Sequence, residues 1–161
     1  MEIKILPAYA YSDIIAGLFK EYTDMLIAGE PKFSQYLGIQ NYDEEIRHLE
    51  QKYGLPDGRL YIAFCNGTPA GCIGLKRLDE ERCEMKRLYT VPAFRGNGIA
   101  KSLVSLVIRE AKSVGYRYML LDTLPFLETA IAMYKRMGFY EIPRYNDSPI
   151  ENTVFMQKEL F

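Results

Sequence analysis

A strand, a glycine turn and an amphipathic helix follow one another between residues 84 and 113, and this succession constrains the fold more than any other part of the chain. The segment 84–91 ends in aromatic and β-branched residues directly before Pro92, which predicts a strand. From Ala100 onward, apolar residues recur at helical spacing while charged residues occupy the opposite stripe. This pattern predicts a helix with one buried face.

The turn between this strand and this helix contains Gly96 and Gly98 and is led by Arg95. The first N–H groups of a helix have no intrahelical partner, and the helix dipole favours negative charge there. Glycine permits positive φ and a close approach of the backbone to a ligand. Arg95 adds a fixed cation with several donors. The residues therefore predict a phosphate or diphosphate site between Arg95 and Ala100.

Two common phosphate-binding patterns do not fit this turn. A Walker loop needs glycines where this chain has Arg95 and Ala100. A dinucleotide fingerprint that starts at Gly96 needs a third glycine where Lys101 stands.

Composition excludes several classes of protein. The 161 residues suit one domain, spanning 1–161, and the net charge of −1 predicts no nucleic-acid partner. No apolar run approaches the ~20 residues of a membrane span, and charged residues interrupt the N-terminal apolar segment, so we expect no membrane partner, no signal peptide and a cytoplasmic location. Cys65, Cys72 and Cys83 form no Cys-x-x-Cys pair, and the chain has one histidine, so we expect buried thiols and no metal site.

Periodicity predicts the remaining elements. The predicted strands are 3–6, 59–65, 70–78, 83–91, 116–122, 139–142 and 153–158, and the predicted helices besides the one after the turn are 12–27, 41–53 and 127–137.

Short local signals place the ends of several of these elements. Asn66-Gly67 predicts a tight hairpin, and Gly138 predicts a C-terminal helix cap. Ser12 or Asp13 is a candidate cap of the first helix, and Asn41 followed by Glu44 is typical of a capping box. The segment between these two helices, which contains Phe33, Tyr36 and Leu37, is interpreted as irregular.

The predicted order β-α-α-β-β-β-α-β-α-β-β resembles the GNAT fold, an α/β (α+β) fold with a mixed sheet of about seven strands. Arg95, Gly98 and Ala100 fit the acetyl-CoA motif of that superfamily of N-acetyltransferases, Gln/Arg-x-x-Gly-x-Gly/Ala. The segment 130–139 resembles its Ala-x-x-x-Tyr-x-x-x-Gly-Phe helix. Leu127 departs from the pattern, because many members have an asparagine there.

The resemblance implies direct transfer of the acetyl group of acetyl-CoA to a primary amine of a small molecule or peptide. It implies that the strand before the turn and the strand after the helix splay apart and hold the cofactor arm between 88–91 and 121–123. Backbone N–H groups near Leu88 or Tyr89 would polarise the thioester carbonyl. Many relatives are dimers, so a homodimer is possible. The implied cofactor-binding residues are Leu88, Tyr89, Val91, Arg95, Gly96, Asn97, Gly98, Ile99, Ala100, Thr123 and Tyr134.

Two residues are candidates for proton transfer. The position of Tyr134 resembles that of the family's general acid, and the alternative is a core tyrosine on an apolar helix face. Glu84 is the candidate base, since several relatives carry an acid on this strand. The alternative is a carboxylate paired with Lys86 or Arg87.

The acceptor is not identified by the sequence. The aromatic residues Phe33, Tyr36, Tyr42 and Tyr53 either shape an acceptor pocket or pack in the core, and the segment 143–149 is either a cover for the acceptor or an exposed hairpin connection. His48 is interpreted as part of a solvated helix face. The competing functional hypotheses are a CoA-binding sensor without catalysis and a nucleotide-phosphate binder.

Overall fold

The computed structural model describes all 161 residues, and its strands form one seven-stranded mixed sheet in the order β1-β2-β3-β4-β5-β7-β6. Only β4 and β5 run parallel; every other neighbouring pair is antiparallel. This confirms the predicted fold class. The strands are β1 (Ile3–Pro7), β2 (Arg59–Cys65), β3 (Thr68–Arg77), β4 (Arg82–Thr90), β5 (Tyr118–Thr123), β6 (Tyr140–Glu141) and β7 (Val154–Glu159).

Six α-helices and a short 3₁₀ turn accompany the sheet. The turn, Pro92–Phe94, continues β4 towards the glycines. The helices are α1 (Ser12–Gly29), α2 (Phe33–Ile39), α3 (Tyr42–Arg47), α4 (Leu49–Tyr53), α5 (Ile99–Val114) and α6 (Glu128–Arg136).

The two faces of the sheet are covered by different helices. Helix α5 buries its predicted apolar stripe, including Val104 and Ala111, in a core that contains Tyr61 and Ala63 of β2. The alternate β2 residues Leu60 and Ile62 pack with residues of α1 and α4 in a second core. Successive side chains of a strand point to opposite faces, so β2 lies buried between two helical layers.

The segment between residues 30 and 53 is the main difference from the sequence prediction. The sequence predicts an irregular segment here, but residues 33–39 form α2, whose Phe33 and Tyr36 pack in a small core with Leu124. The single helix predicted for 41–53 is wrong: His48, with φ −138° and ψ 61°, separates α3 from α4. His48 itself is exposed near two glutamates, in accord with a solvated position.

The predicted N-terminal caps are also wrong, whereas the glycine signals are confirmed. Tyr11 precedes α1 and no side chain caps that helix, and Asn41 adopts a left-handed conformation (φ 57°) without a capping hydrogen bond. Asn66-Gly67 joins β2 to β3 with positive φ at both residues. Gly138 follows α6 with φ 98°.

Cys65, Cys72 and Cys83 are buried free thiols, as predicted. Burial raises the pKa of the Cys83 thiol to about 12, so it is neutral at physiological pH. None of the helices combines the length and the apolar character that crossing a bilayer requires.

Candidate active site

The parallel strands β4 and β5 pair over only three residues and then separate. Their register runs from Arg82–Tyr118 to Glu84–Leu120 and stops there, although β4 continues to Thr90 and β5 to Thr123. The gap opens towards the glycine turn, because β4 leads directly into it.

A β-bulge in β4 accompanies this separation. Between the pairs Cys72–Tyr89 and Gly74–Lys86, one residue of β3 faces two residues of β4. Arg87 lies in this bulge with φ 60°, a left-handed conformation that is uncommon for a non-glycine residue. Bulges bend the strand that carries them and increase its twist. The bulge therefore directs the end of β4 away from its regular path.

The glycine turn presents a run of unpaired N–H groups. Gly96 and Gly98 have φ values of 84° and 77°, and Gly98 is the residue that precedes α5. The six consecutive N–H groups from Gly96 to Lys101 donate to no acceptor in the protein, and the first bond after them runs from Ser102 N to Gly98 O (3.0 Å). Such amides at a helix N-terminus form an anion site.

Arg95 and Lys101 add positive charge to this site. The Arg95 side chain is exposed, and its Nε donates to Thr90 O at 3.2 Å, which places the guanidinium beside the end of β4. Lys101 is exposed in the first turn of α5. The unpaired amides and the two cations together fit a diphosphate group.

A cavity of about 830 Å³ connects the glycine turn with the gap between β4 and β5 and with helices α1 and α2. The turn contributes Gly96 and Gly98, and the opposite end is formed by residues such as Tyr22 and Phe33. The predicted cofactor residues that line the cavity are Leu88, Tyr89, Arg95, Gly96, Gly98, Ile99, Ala100, Thr123 and Tyr134.

Two predicted cofactor residues do not line the cavity. Val91 donates its N–H to Ala70 O at 2.8 Å and packs in the core beneath α1. The Asn97 side chain turns back onto Phe94 O at 3.0 Å, so any contact of Asn97 with a ligand involves its main chain.

Tyr134 projects from α6 into the same cavity. The residue is 7% exposed, and its ring packs against Phe139 with a centroid distance of 5.7 Å. The hydroxyl has no hydrogen-bond partner within the protein, yet it is not one of the fully buried unpaired atoms, so it is accessible from the cavity. Burial, aided by nearby Tyr22 and Asp122, raises the pKa of Tyr134 well above its ordinary value. The hydroxyl is therefore protonated at neutral pH, the form that a proton donor needs.

Glu84 lies outside the cavity lining, beneath the segment that follows β6. It is 4% exposed and accepts a hydrogen bond from the Tyr145 hydroxyl, and Lys86 Nζ lies 3.7 Å from its Oε1. A proton path from the cavity to Glu84 would therefore need an intervening group.

The four aromatic candidates for the acceptor pocket divide into two pairs. Phe33 and Tyr36 line the cavity, whereas Tyr42 and Tyr53 do not. Tyr53 is fully buried and donates to Glu45 Oε2 at 2.9 Å. It packs in the core formed with α1 and β2.

A buried ion pair supports this end of the cavity. Arg87 donates from Nε and one terminal nitrogen to the two oxygens of Glu45, at 2.9 and 3.0 Å, and also to Gln40 Oε1 at 2.7 Å. Lys52 Nζ contacts Glu45 Oε1 at 2.7 Å. Burial opposes ionisation of Glu45, but Arg87 and Lys52 outweigh it and lower the carboxyl pKa to about 2. The pair fixes α3 to the bulge of β4.

A second polar cluster, around Asp122 of β5, was missed by the sequence analysis. Tyr36 of α2 donates its hydroxyl to Asp122 Oδ2, and Asn146 Nδ2 donates to the same oxygen at 2.7 Å. Asn146 also contacts the Tyr36 hydroxyl at 2.9 Å. The only signal in the sequence is a carboxylate within the apolar strand 119–123.

Known proteins with a similar sequence or fold are acetyltransferases. The profile of the Acetyltransferase (GNAT) family matches residues 20–139. An uncharacterized N-acetyltransferase of Schizosaccharomyces pombe is 37% identical, with 80% of each chain covered, and one of Dictyostelium discoideum is 32% identical, with 98% of each chain covered. The crystal structure of PaiA N-acetyltransferase from Thermoplasma acidophilum in complex with coenzyme A superposes with a TM-score of 0.73 at 21% identity, covering 99% of both chains. Sequence, fold and site together show that this chain belongs to the GNAT family of acetyltransferases.

Proposed function

We propose that this protein transfers the acetyl group of acetyl-CoA directly to a primary amine of a small molecule or peptide. One observation carries the proposal: a single cavity connects the amide-rich turn, the accessible Tyr134 hydroxyl and the wall formed by α1 and α2. The diphosphate of the cofactor and the acceptor amine would thus occupy different parts of one cavity. Family membership and the coenzyme A bound to the Thermoplasma relative support the same cosubstrate.

The main chain supplies most of the cofactor site in this proposal. The N–H groups from Gly96 to Lys101 bind the diphosphate, with Arg95 beside it. The diverging ends of β4 and β5 offer unpaired backbone groups to the pantetheine amides. N–H groups at Leu88 or Tyr89 face the thioester carbonyl and stabilise the negative charge that develops there during attack.

Proton transfer completes the reaction. Acetyl-CoA supplies an activated acyl group whose carbon–sulfur bond breaks as the carbon–nitrogen bond forms. An ammonium of pKa ~10.4 must lose a proton before attack, and the departing thiolate, whose thiol has a pKa of ~8.5, must gain one. Tyr134 donates the second proton, and its protonated state at neutral pH suits that role.

Glu84 remains the proposed base for the first proton, acting through an intervening group because Tyr145 and Lys86 stand around its carboxylate. Glu84→Gln is expected to remove the acidic limb of the pH–rate profile. Retention of that limb would exclude the role of Glu84 as the base.

A cytoplasmic location and a homodimer also remain predictions for this protein.

The Tyr134→Phe variant tests the proposal. Loss of a general acid is expected to lower kcat by about 100-fold or more. The dissociation constant of coenzyme A should stay near that of the wild type, because the hydroxyl acts on the thiolate and the amides hold the diphosphate. Turnover is measured by thiol release, and affinity by calorimetry.

Tyr140→Phe is the matched control, since its exposed hydroxyl contacts only Gln157 and it lies outside the cavity. Its turnover should equal that of the wild type. An equal loss of turnover and cofactor affinity in Tyr134→Phe would exclude the acid role. Cofactor binding without thiol release for any primary amine would exclude the enzyme and favour a CoA sensor.

A further inference from the structure

The acceptor end of the cavity contains one carboxylate whose charge has no cationic partner, that of Asp122. The carboxylates that line the cavity are Asp122 and Glu128. Glu128 is exposed in the first turn of α6, whereas Asp122 is partly buried on β5. Asp122 forms no ion pair in the structure.

Asp122 is held in place from two directions. Tyr36 of α2 and Asn146 of the segment after β6 both donate to its Oδ2, and they also contact each other. Each of these contacts joins distant parts of the chain. The arrangement fixes the rotamer of the carboxylate without neutralising it.

The second carboxylate oxygen of Asp122 is free. Oδ1 accepts no hydrogen bond from the protein, yet it is not among the fully buried atoms that lack a partner. Since Asp122 lines the cavity, Oδ1 is open towards it. A fixed, partly buried carboxylate oxygen that faces a cavity is an acceptor for a cationic donor, because charge-assisted hydrogen bonds are the strong ones.

The cationic side chains at this end are already balanced by carboxylates. Lys86 Nζ lies 3.7 Å from Glu84, and Arg87 is paired with Glu45 through two hydrogen bonds. Of the other cations that line the cavity, Lys101 lies on α5 and Arg136 on α6. Arg95 belongs to the glycine turn, and its Nη2 reaches Met25 Sδ of α1 at 3.6 Å. Lys86 and Arg87 therefore already have carboxylate partners, and an acceptor carboxylate placed beside Asp122 would have to compete with those partners.

The rest of the acceptor end is apolar or aromatic. The lining side chains contributed by α1, α2 and the residues after β5 include Tyr22, Leu26, Phe33 and Leu124. Such a wall binds a hydrocarbon or aromatic body by removing its surface from water.

Resting on the proposed function, we propose that Asp122, positioned by Tyr36 and Asn146, binds the ammonium group of the acceptor, and that the acceptors are primary amines with an apolar body and no carboxylate on the amine-bearing carbon. The ammonium donates to Asp122 Oδ1, and its body lies along the wall of α1 and α2. An amino acid would place its carboxylate beside that of Asp122. Like charges in a partly desolvated site repel, so the site discriminates between an amine and the corresponding amino acid.

The test uses matched pairs of ligands that differ only in the carboxylate: 2-phenylethylamine with phenylalanine, and 3-methylbutylamine with leucine. Their dissociation constants are measured by calorimetry on the protein saturated with coenzyme A, which cannot react. The wild type should bind each amine at least tenfold more tightly than its amino acid. Asp122→Asn should weaken amine binding about 10- to 100-fold, the range expected for a hydrogen bond to a charged group, and abolish the preference.

Glu128→Gln is the matched control, because it removes an equal charge from the wall of the same cavity. Its amine affinity should equal that of the wild type. Asn146→Ala, which removes one positioning bond from a surface segment, should give an intermediate loss and serves as the second variant if Asp122→Asn unfolds. Three results would each overturn the proposal. They are an equal loss of amine affinity in Asp122→Asn and Glu128→Gln, tighter binding of the amino acids than of the amines, and failure of both amines to bind the wild type.

Turnover separates this inference from the proposed function. Amine binding that depends on Asp122 without thiol release from acetyl-CoA contradicts acetyl transfer but supports the ammonium site. Thiol release at equal rates in the wild type and Asp122→Asn, at subsaturating amine, contradicts the ammonium site but supports acetyl transfer.

Discussion

Glu45→Gln is expected to destabilise the protein by about 3–5 kcal/mol at neutral pH, because it leaves the Arg87 guanidinium buried without a counter-charge. The side chains of Glu45 and Arg87 are 0% and 3% exposed, so solvent does not screen the pair. The carboxyl pKa gives a second measure of the same interaction. The fall of the Glu45 pKa from 4.5 to about 2 corresponds to about 3 kcal/mol of unfolding free energy, at 1.36 kcal/mol per pKa unit. The free energy of unfolding is measured by urea titration.

The pH dependence has a defined sign. The folded pKa of Glu45 is lower than the unfolded one, so its contribution is complete above about pH 4.5 and is lost as pH falls towards 2. The difference in unfolding free energy between the wild type and Glu45→Gln should therefore be constant from pH 7 to 5. It should shrink between pH 4.5 and 2, where the wild-type carboxyl becomes protonated.

Glu44→Gln is the control for this variant. Glu44 precedes Glu45 on α3 with a 53% exposed side chain, and its Oε1 lies 3.5 Å from His48 Nε2. Surface substitutions of this kind change stability by about 0.5 kcal/mol or less. The reasoning is refuted if Glu45→Gln is as stable as Glu44→Gln, or if its deficit is the same at pH 3 as at pH 7.

Two further predictions concern glycines. Gly98→Ala should weaken coenzyme A binding about tenfold by calorimetry, although its Cβ would meet no atom within 4 Å. The left-handed conformation (φ 77°) costs an alanine ~1–2 kcal/mol, so we expect the free turn to leave it, and binding must then restore it. Gly17→Ala in α1, equally uncrowded but helical, should leave binding unchanged, and equal affinity of the two variants would contradict the argument. Gly74→Ala should destabilise the fold by ~1–3 kcal/mol in urea titration, since its Cβ would lie 2.7 Å from the Tyr53 ring, whose hydroxyl is held by Glu45. If this variant is as stable as the wild type, the Tyr53 ring moves aside without cost and the argument is wrong.

The predictions that succeeded rest on local chemistry. Asn66-Gly67 and Gly138 specify their turns through positive φ, which few other residues adopt at low cost. The apolar stripe of α5 and the turn at Gly98 are likewise contained in short windows of sequence. This is why the strands of the sheet, their order along the chain and the glycine turn before α5 could be predicted.

Several features that the sequence does not reveal depend on contacts between distant residues. Helix α2 exists where Phe33 and Tyr36 pack against Leu124, far along the chain, and no local pattern signals it. Arg87 and Glu45 are 42 residues apart, and Asn146 and Tyr36 are 110 apart. A side chain's partner across such a separation is set by the folded chain, so spacing in the sequence does not reveal it.

The three-residue pairing of β4 with β5 has a mechanical consequence. On its other edge β5 is paired with β7 through six consecutive residue pairs. The sheet therefore consists of two extensively hydrogen-bonded parts, β1–β4 and β5–β7, joined by the short β4–β5 pairing. A molecule that hydrogen bonds to the unpaired ends of both β4 and β5 adds the inter-strand hydrogen bonds that this junction lacks. If the cofactor binds between these strand ends as proposed, it completes the hydrogen bonding of the sheet there. We then expect the free and bound proteins to differ in stiffness along the β4–β5 junction rather than throughout.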